Sequence, residues 1–160
     1  MADKINKTNA MRILDKNKIA YDIKTYEVDE NDLSGEHIAV QLGLNPACVF
    51  KTLVLHGDKT GYVVACIPVA ATLDLKELAK VSGNKNVQMI HVKDIMGITG
   101  YIRGGCSPVG MKKKFPTFYH NTITAYDKIY LSGGKRGIQI VVAPADILRA
   151  TVGTSAPLIQ

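Results

Sequence analysis

The 160-residue chain lacks tryptophan altogether and carries only three cysteines, four histidines and three phenylalanines. Cys48, Cys66 and Cys106 are odd in number and widely spaced, which excludes a disulfide framework and any CxxC redox or zinc motif. His37, His56, His91 and His120 show no metal-ligand spacing, and no HExxH is present, so no metal or other cofactor is expected. Gly-Lys-Ser/Thr is missing, which excludes a P-loop, and there is neither a GxGxxG opening a helix nor a GxSxG nucleophile elbow. No apolar run approaches the ~20 residues of a membrane span. The start, MADKINKTNAM, has no apolar h-region, so the expected compartment is the cytosol.

The last scarcity is of acid. Residues 97–160 hold eight Lys/Arg but only Asp127 and Asp146, whereas residues 1–96 hold twelve of each sign. The whole formal charge of +6 therefore belongs to the C-terminal part. A one-sided basic surface suits a polyanion, in the cytosol usually nucleic acid, although it can also serve solubility alone.

What is present reads as one domain over residues 1–160, with 46% hydrophobic and 21% charged residues. Thr8 caps a helix through Met11, Ile13 and Leu14 to about Asn17, and a half-buried strand follows from Ile19 to Thr25. Ser34 and Gly43 bracket a second helix. Val49–Leu55 and Tyr62–Ile67 flank Gly57-Asp58-Lys59-Thr60-Gly61 as a hairpin, the second run apolar enough for a central strand. Asp74 and Gly83 bracket a third helix. Asn86–Ile90 reads as a short strand and His91–Met96 as a short helix. Thr117–His120, Lys128–Leu131 and Ile138–Ala143 are strands, and Pro144 opens the last helix. Hairpins mixed with crossovers predict an α/β domain of α+β type, a mixed and mostly antiparallel sheet packed by helices. Cys48 and Cys66 lie in apolar stretches and read as buried small hydrophobes.

Three segments carry polar groups that a plain core does not require. Lys51 sits in the apolar run Phe50-Lys51-Thr52, either facing solvent or entering a pocket where its ammonium meets a phosphate or a developing oxyanion. Gly104-Gly105-Cys106-Ser107-Pro108 is either a turn or a place where backbone N–H groups approach a ligand. Ser132-Gly133-Gly134-Lys135-Arg136-Gly137 is a hairpin turn or a phosphate-contacting loop, and Lys112-Lys113-Lys114 adds to the same basic third. Cys106 ranks below these as a thiol nucleophile, because no histidine lies near it in sequence.

Taken in order, LDKNKI, KTYE, LGLNP, FKTLV, IPVAATLDLKELAK, TGYIRGGCSPVGMKKKFPT and IYLSGGKRG resemble the YbaK/EbsC family of trans-editing aminoacyl-tRNA deacylases, from about Met11 to Leu148. The resemblance implies a compact mixed α/β domain, also found appended to or paired with prolyl-tRNA synthetases. It implies hydrolysis of an amino acid mischarged on tRNA, cysteine on proline tRNA first and alanine second. It implies that Lys51 is the family's essential lysine and that Tyr26, Thr52, Gly104, Gly105, Ser107, Ser132, Gly133 and Gly134 belong to the substrate site. The chemistry implied for cysteine-specific members is substrate-assisted: the cysteinyl thiol attacks its own ester. The partners implied are the aminoacylated tRNA 3′ end and a prolyl-tRNA synthetase. Gln139 stands where better-known members have an acidic residue, and Leu33-Ser34 where they have an aromatic, so amino-acid specificity is the open point. The competing reading is a non-catalytic module that binds tRNA or the synthetase, separated from the first by turnover.

Overall fold

Thr8 accepts a hydrogen bond from the Met11 N–H and opens helix α1 (Asn9–Lys16) in the computed structural model, which describes residues 6–160. α1 closes in a Schellman arrangement: Lys18 takes a left-handed φ of 57°, its N–H donates to Asp15, and the Ile19 N–H donates to Leu14. That closure consumes the residues at which a strand was expected to begin. Strand β1 is accordingly only Asp22–Thr25, with all four residues exposed. Ser34 caps α2 (Gly35–Leu42), which stops at left-handed Gly43.

After a 3-10 turn at Pro46–Cys48, β2 (Phe50–Gly57) and β3 (Gly61–Pro68) form the expected hairpin. Asp74 caps α3 (Leu75–Ser82), followed by β4 (Val87–Met89), a turn at Val92–Asp94 and α4 (Ile95–Thr99). The chain ends with β5 (Thr117–His120), a turn at Asn121–Ala125, β6 (Ile129–Ser132), β7 (Ile138–Val142), α5 (Pro144–Thr151) and β8 (Thr154–Ala156). β8 escaped the sequence pattern because Thr154, Ser155 and Ala156 are too short a run of small residues to show alternation.

The strands form two sheets where one was expected. One has the order β1-β7-β6, the other β4-β2-β3-β5-β8. Four of the six pairings are antiparallel, β3–β5 and β5–β8 being parallel. β3 lies inside its sheet, as its apolar run requires. Ile129, Leu131, Ile140 and Val142 turn one face of the smaller sheet onto Phe50, Val54, Val64 and Cys66 of the larger. Each fully buried side chain of this kind contributes about 1.5–3 kcal/mol. The opposite face of the larger sheet packs Leu55, Val63, Ala65 and Ile67 against α3 and Leu158. Tyr130, on the other face of the smaller sheet, packs with Ala39 of α2, Val49 and Val69. Cys66 is buried as expected, but Cys48 is half-exposed because its short helical turn lies at the surface. No described helix is long and apolar enough to cross a membrane.

Candidate active site

β2 is paired with β3 along its whole length, but β4 covers only Leu55–Gly57 of its other edge. The Ile90 N–H donates to the Val54 carbonyl, so the backbone of Val54 faces β4. Alternation turns the Thr52 N–H and C=O toward the same edge, beyond the reach of β4. A cleft of about 320 Å³ lies there, bounded by β2, the first turn of α2, the 103–106 loop and the β6–β7 pair.

Lys51 lines this cleft and is half-buried. Among the described residues it forms no ion pair, and Glu36 at the start of α2 is the acid that lines the same cleft. Its ammonium is therefore uncommitted, in a cleft into which the N-terminus of α2 also opens. Thr52 is next to it, with its hydroxyl 3.7 Å from the Cys66 sulfur.

The two glycine-rich segments, which begin at Gly104 and Ser132, meet at the cleft. Arg136 Nε donates to the Arg103 carbonyl at 2.7 Å. A Cβ on Gly105 would lie 3.1 Å from the Arg136 nitrogen and 3.2 Å from the Lys135 backbone, so the loops touch main chain to main chain. Gly104 takes a φ of +83°, unfavourable for any residue with a side chain. The second loop is fixed from behind, because the Thr8 hydroxyl donates to the Gly133 carbonyl at 2.5 Å. The Ser132 hydroxyl accepts from the Gly134 N–H at 3.2 Å.

The residues singled out from the sequence fall into two sets. Lys51, Thr52, Gly104 and Ser132 line the cleft together. Tyr26, Gly105, Ser107, Gly133 and Gly134 lie outside the lining. The Tyr26 N–H donates to Gly137 at 2.9 Å, tying β1 to the end of the Ser132–Gly137 loop. Ser107 is wholly buried, its hydroxyl accepting from the Val109 N–H.

The cleft also holds residues that the sequence pattern did not place there, Arg103 among them, and both positions of departure, Leu33-Ser34 and Gln139. Gln139 lies opposite Ser132 on β7, is 3% exposed, and its Oε1 has no hydrogen-bond partner among the described residues. A buried acceptor without a donor costs about 1–3 kcal/mol, which sets this amide apart from the satisfied polar groups around it. The signal for it was an amide in an otherwise apolar strand.

Cys106 lines the same wall, but burial pushes its thiol up to about 11, and that of Cys66 up to about 12. Neither is a thiolate at neutral pH. Among the described residues no group of three or more His, Cys, Asp or Glu could hold a metal ion.

Residues 30–150 match the aminoacyl-tRNA editing domain family. The chain belongs to that family. It is 51% identical over 152 residues, 95% of this chain and 93% of the other, to an Enterococcus faecalis protein assigned the name Cys-tRNA(Pro)/Cys-tRNA(Cys) deacylase EbsC. This bears out the resemblance to the YbaK/EbsC proteins, and membership places the chain among enzymes that remove amino acids from tRNA. Two solved structures share the fold. A hypothetical protein, APE2540, superposes with a TM-score of 0.86 at 18% identity over 96% of this chain and all of that one. A structure described as a trans-editing enzyme for prolyl-tRNA synthetase superposes at 0.76 and 22% identity, covering 86% and 87% of the two chains.

Proposed function

We propose that the chain edits misacylated tRNA in trans, with cysteinyl-tRNA(Pro) as the first substrate, by a site centred on Lys51. The observation that carries this reading is one cleft holding an uncommitted ammonium and an orphaned buried acceptor. An aminoacyl ester brings the complementary groups: a carbonyl oxygen that gains negative charge in the reaction, and an α-ammonium that needs an acceptor. Lys51 and the Thr52 N–H face the first, and Gln139 Oε1 receives the second. Gly104 and Ser132 contact the substrate, while Tyr26, Gly105, Ser107, Gly133 and Gly134 hold the loops that carry them.

The cleft has no thiolate of its own, and the substrate supplies the nucleophile. The cysteinyl sulfur bonds to the ester carbonyl carbon, the carbon–oxygen bond to the ribose breaks, and the thiol proton passes to the ribose oxygen. The products are tRNA with a free hydroxyl and a cyclic thioester that water opens. Holding the thiol against its own carbonyl is a proximity effect, and Lys51 stabilises the charge that develops on the carbonyl oxygen. The identity with the E. faecalis protein supports cysteine as the amino acid. The likeness to the structure described for prolyl-tRNA synthetase, with the +6 net charge, supports tRNA and that synthetase as cytosolic partners.

The test is release of amino acid from a panel of mischarged tRNAs by the wild type and Lys51→Ala. Loss of one well-placed oxyanion donor lowers kcat by about 10²–10³-fold. Selective release of cysteine, absent when serine replaces it, fits self-cyclisation. Unchanged release by the Lys51 variant would defeat the site assignment. Stoichiometric, salt-sensitive tRNA binding without turnover would establish the binding-module reading instead.

A further inference from the structure

The Lys51 cleft continues sideways into a second one of about 300 Å³, whose far wall is Met89, Ile90, Val92 and Ile95. Five residues line both, with Thr52, Arg103 and Gly104 at the seam and Leu53 and Cys106 beside them. The outer wall is bare hydrocarbon: Met89 is 51% and Val92 55% exposed, with Met96 and Ile102 exposed nearby. Four of the nine exposed large hydrophobics of the described chain thus fall within residues 89–102, and two of them, Met89 and Val92, line this cleft. Arg103 stands at the seam, exposed and without an ion pair among the described residues. Only its carbonyl is engaged, by Arg136.

We propose that this apolar cleft receives the terminal nucleobase of the tRNA 3′ end, with the Arg103 guanidinium placed for the phosphate that precedes it. The inference rests on the reading that the neighbouring cleft handles an aminoacyl ester. Such a substrate has two parts of opposite character joined at the reacting bond: a small polar aminoacyl group, and a ribose carrying a flat, largely apolar base. The two clefts differ in the same sense and meet at Thr52 and Gly104. A base unstacked from its strand gains by burying its apolar faces against hydrocarbon, while a cation takes the backbone. A docked protein is the competing occupant. It fits less well, because anything seated across the five shared residues would block the way out of the Lys51 cleft, whereas a part of the substrate would not.

Cysteinyl-RNA minihelices ending either in adenosine or in a base-less ribose test this, with wild type and the Met89→Ser/Val92→Ser double variant. Both positions are about half exposed, so serine is tolerated by the fold. Loss of the base removes roughly 60 Å² of apolar burial, which lowers wild-type kcat/KM by about tenfold, carried mostly by KM. The double variant loses a similar factor on the adenosine substrate, and on the base-less substrate both proteins cleave at the same reduced rate. Equal cleavage of the two substrates by wild type would overturn the inference while leaving the editing reading intact. So would a variant impaired equally on both substrates, or impaired only in binding prolyl-tRNA synthetase. Failure of wild type to cleave either substrate would remove the editing reading and this inference with it.

Discussion

Replacing Gln139 with leucine should make the protein more stable and a poorer enzyme at once. The two side chains are of similar size, so the exchange removes a polar group from a site that is 3% exposed without opening a large void. In the free protein Oε1 has no donor, and its desolvation is uncompensated by about 1–3 kcal/mol. Leucine releases that cost. For a domain of this length each kcal/mol moves Tm by about 2–4 °C, so Gln139→Leu should melt roughly 2–12 °C higher.

The price appears in catalysis. If Oε1 accepts from the substrate ammonium, the lost charge-assisted hydrogen bond is worth about 1.5–3 kcal/mol, or roughly 10- to 150-fold in kcat/KM. The ammonium is not consumed in the reaction, so the contact is made equally in ground and transition states. The loss should therefore enter KM and leave kcat nearly unchanged. Thermal melts by circular dichroism and steady-state deacylation of cysteinyl-tRNA measure both quantities on one preparation. A variant that melts lower, with KM unchanged, would refute the reasoning: Gln139 would then be a satisfied structural residue.

Gly105→Ala should lower Tm by several degrees and reduce deacylation, since its Cβ would sit 3.1–3.2 Å from the Lys135–Arg136 main chain and overpacking of this kind costs about 1–3 kcal/mol. Wild-type melting and activity in the alanine variant would show that the two loops need not touch. Cys106→Ser should retain most activity, because a thiol raised to about 11 is ionised in only about one molecule in ten thousand at pH 7. Abolition of turnover in that variant, with Lys51→Ala still active, would make Cys106 the nucleophile. His120 is buried, its Nδ1 accepts from the Leu158 N–H at 3.1 Å, and burial holds its pKa below the usual value of 6.5. The folded form thus binds its proton later than the unfolded chain does. Stability is full above about pH 6.5 and falls as the pH drops from there toward the folded pKa. His120→Asn, which keeps an acceptor, should flatten the Tm–pH curve in that window, and an unchanged slope would place the acid sensitivity elsewhere.

Much of the fold was legible because its signals are local. Thr8, Ser34 and Asp74 each cap the helix they precede, Gly43 and Gly83 end theirs, and the Gly57–Gly61 turn lies between the strands it joins. The limits came where tertiary structure decides. The start of β1 was lost to the α1 closure at Lys18, a left-handed residue that is not glycine. The division into two sheets depends on which strand edges meet, and alternation within a strand carries no such information. The site shows the same split. Lys51, Thr52, Gly104 and Ser132 stand out by residue type, an ammonium in a strand and glycines beside hydroxyls, and the fold gathers them into one cleft.

Ser107 and Gly133 stand out just as strongly in sequence, and the resemblance adds Tyr26, yet all three lie behind the lining, because a loop that must present one residue needs others to hold it. Gln139 reverses the case. The resemblance singled it out as a departure, but by residue type alone one amide between two isoleucines is compatible with a surface strand, and burial on both faces of β7 is what the structure adds. The bare wall at residues 89–102 was equally silent, because scattered Met, Ile and Val predict a core as readily as an open groove. The groups proposed to contact substrate by charge are thus visible one residue at a time. Those that would decide its shape, the amide facing the aminoacyl end and the hydrocarbon facing the base, exist only once β2 is left uncovered beyond β4. On the proposed reading, the length of β4 is therefore part of the specificity. Three residues of pairing protect the hairpin end of β2 and leave Thr52 free at the seam between the two clefts.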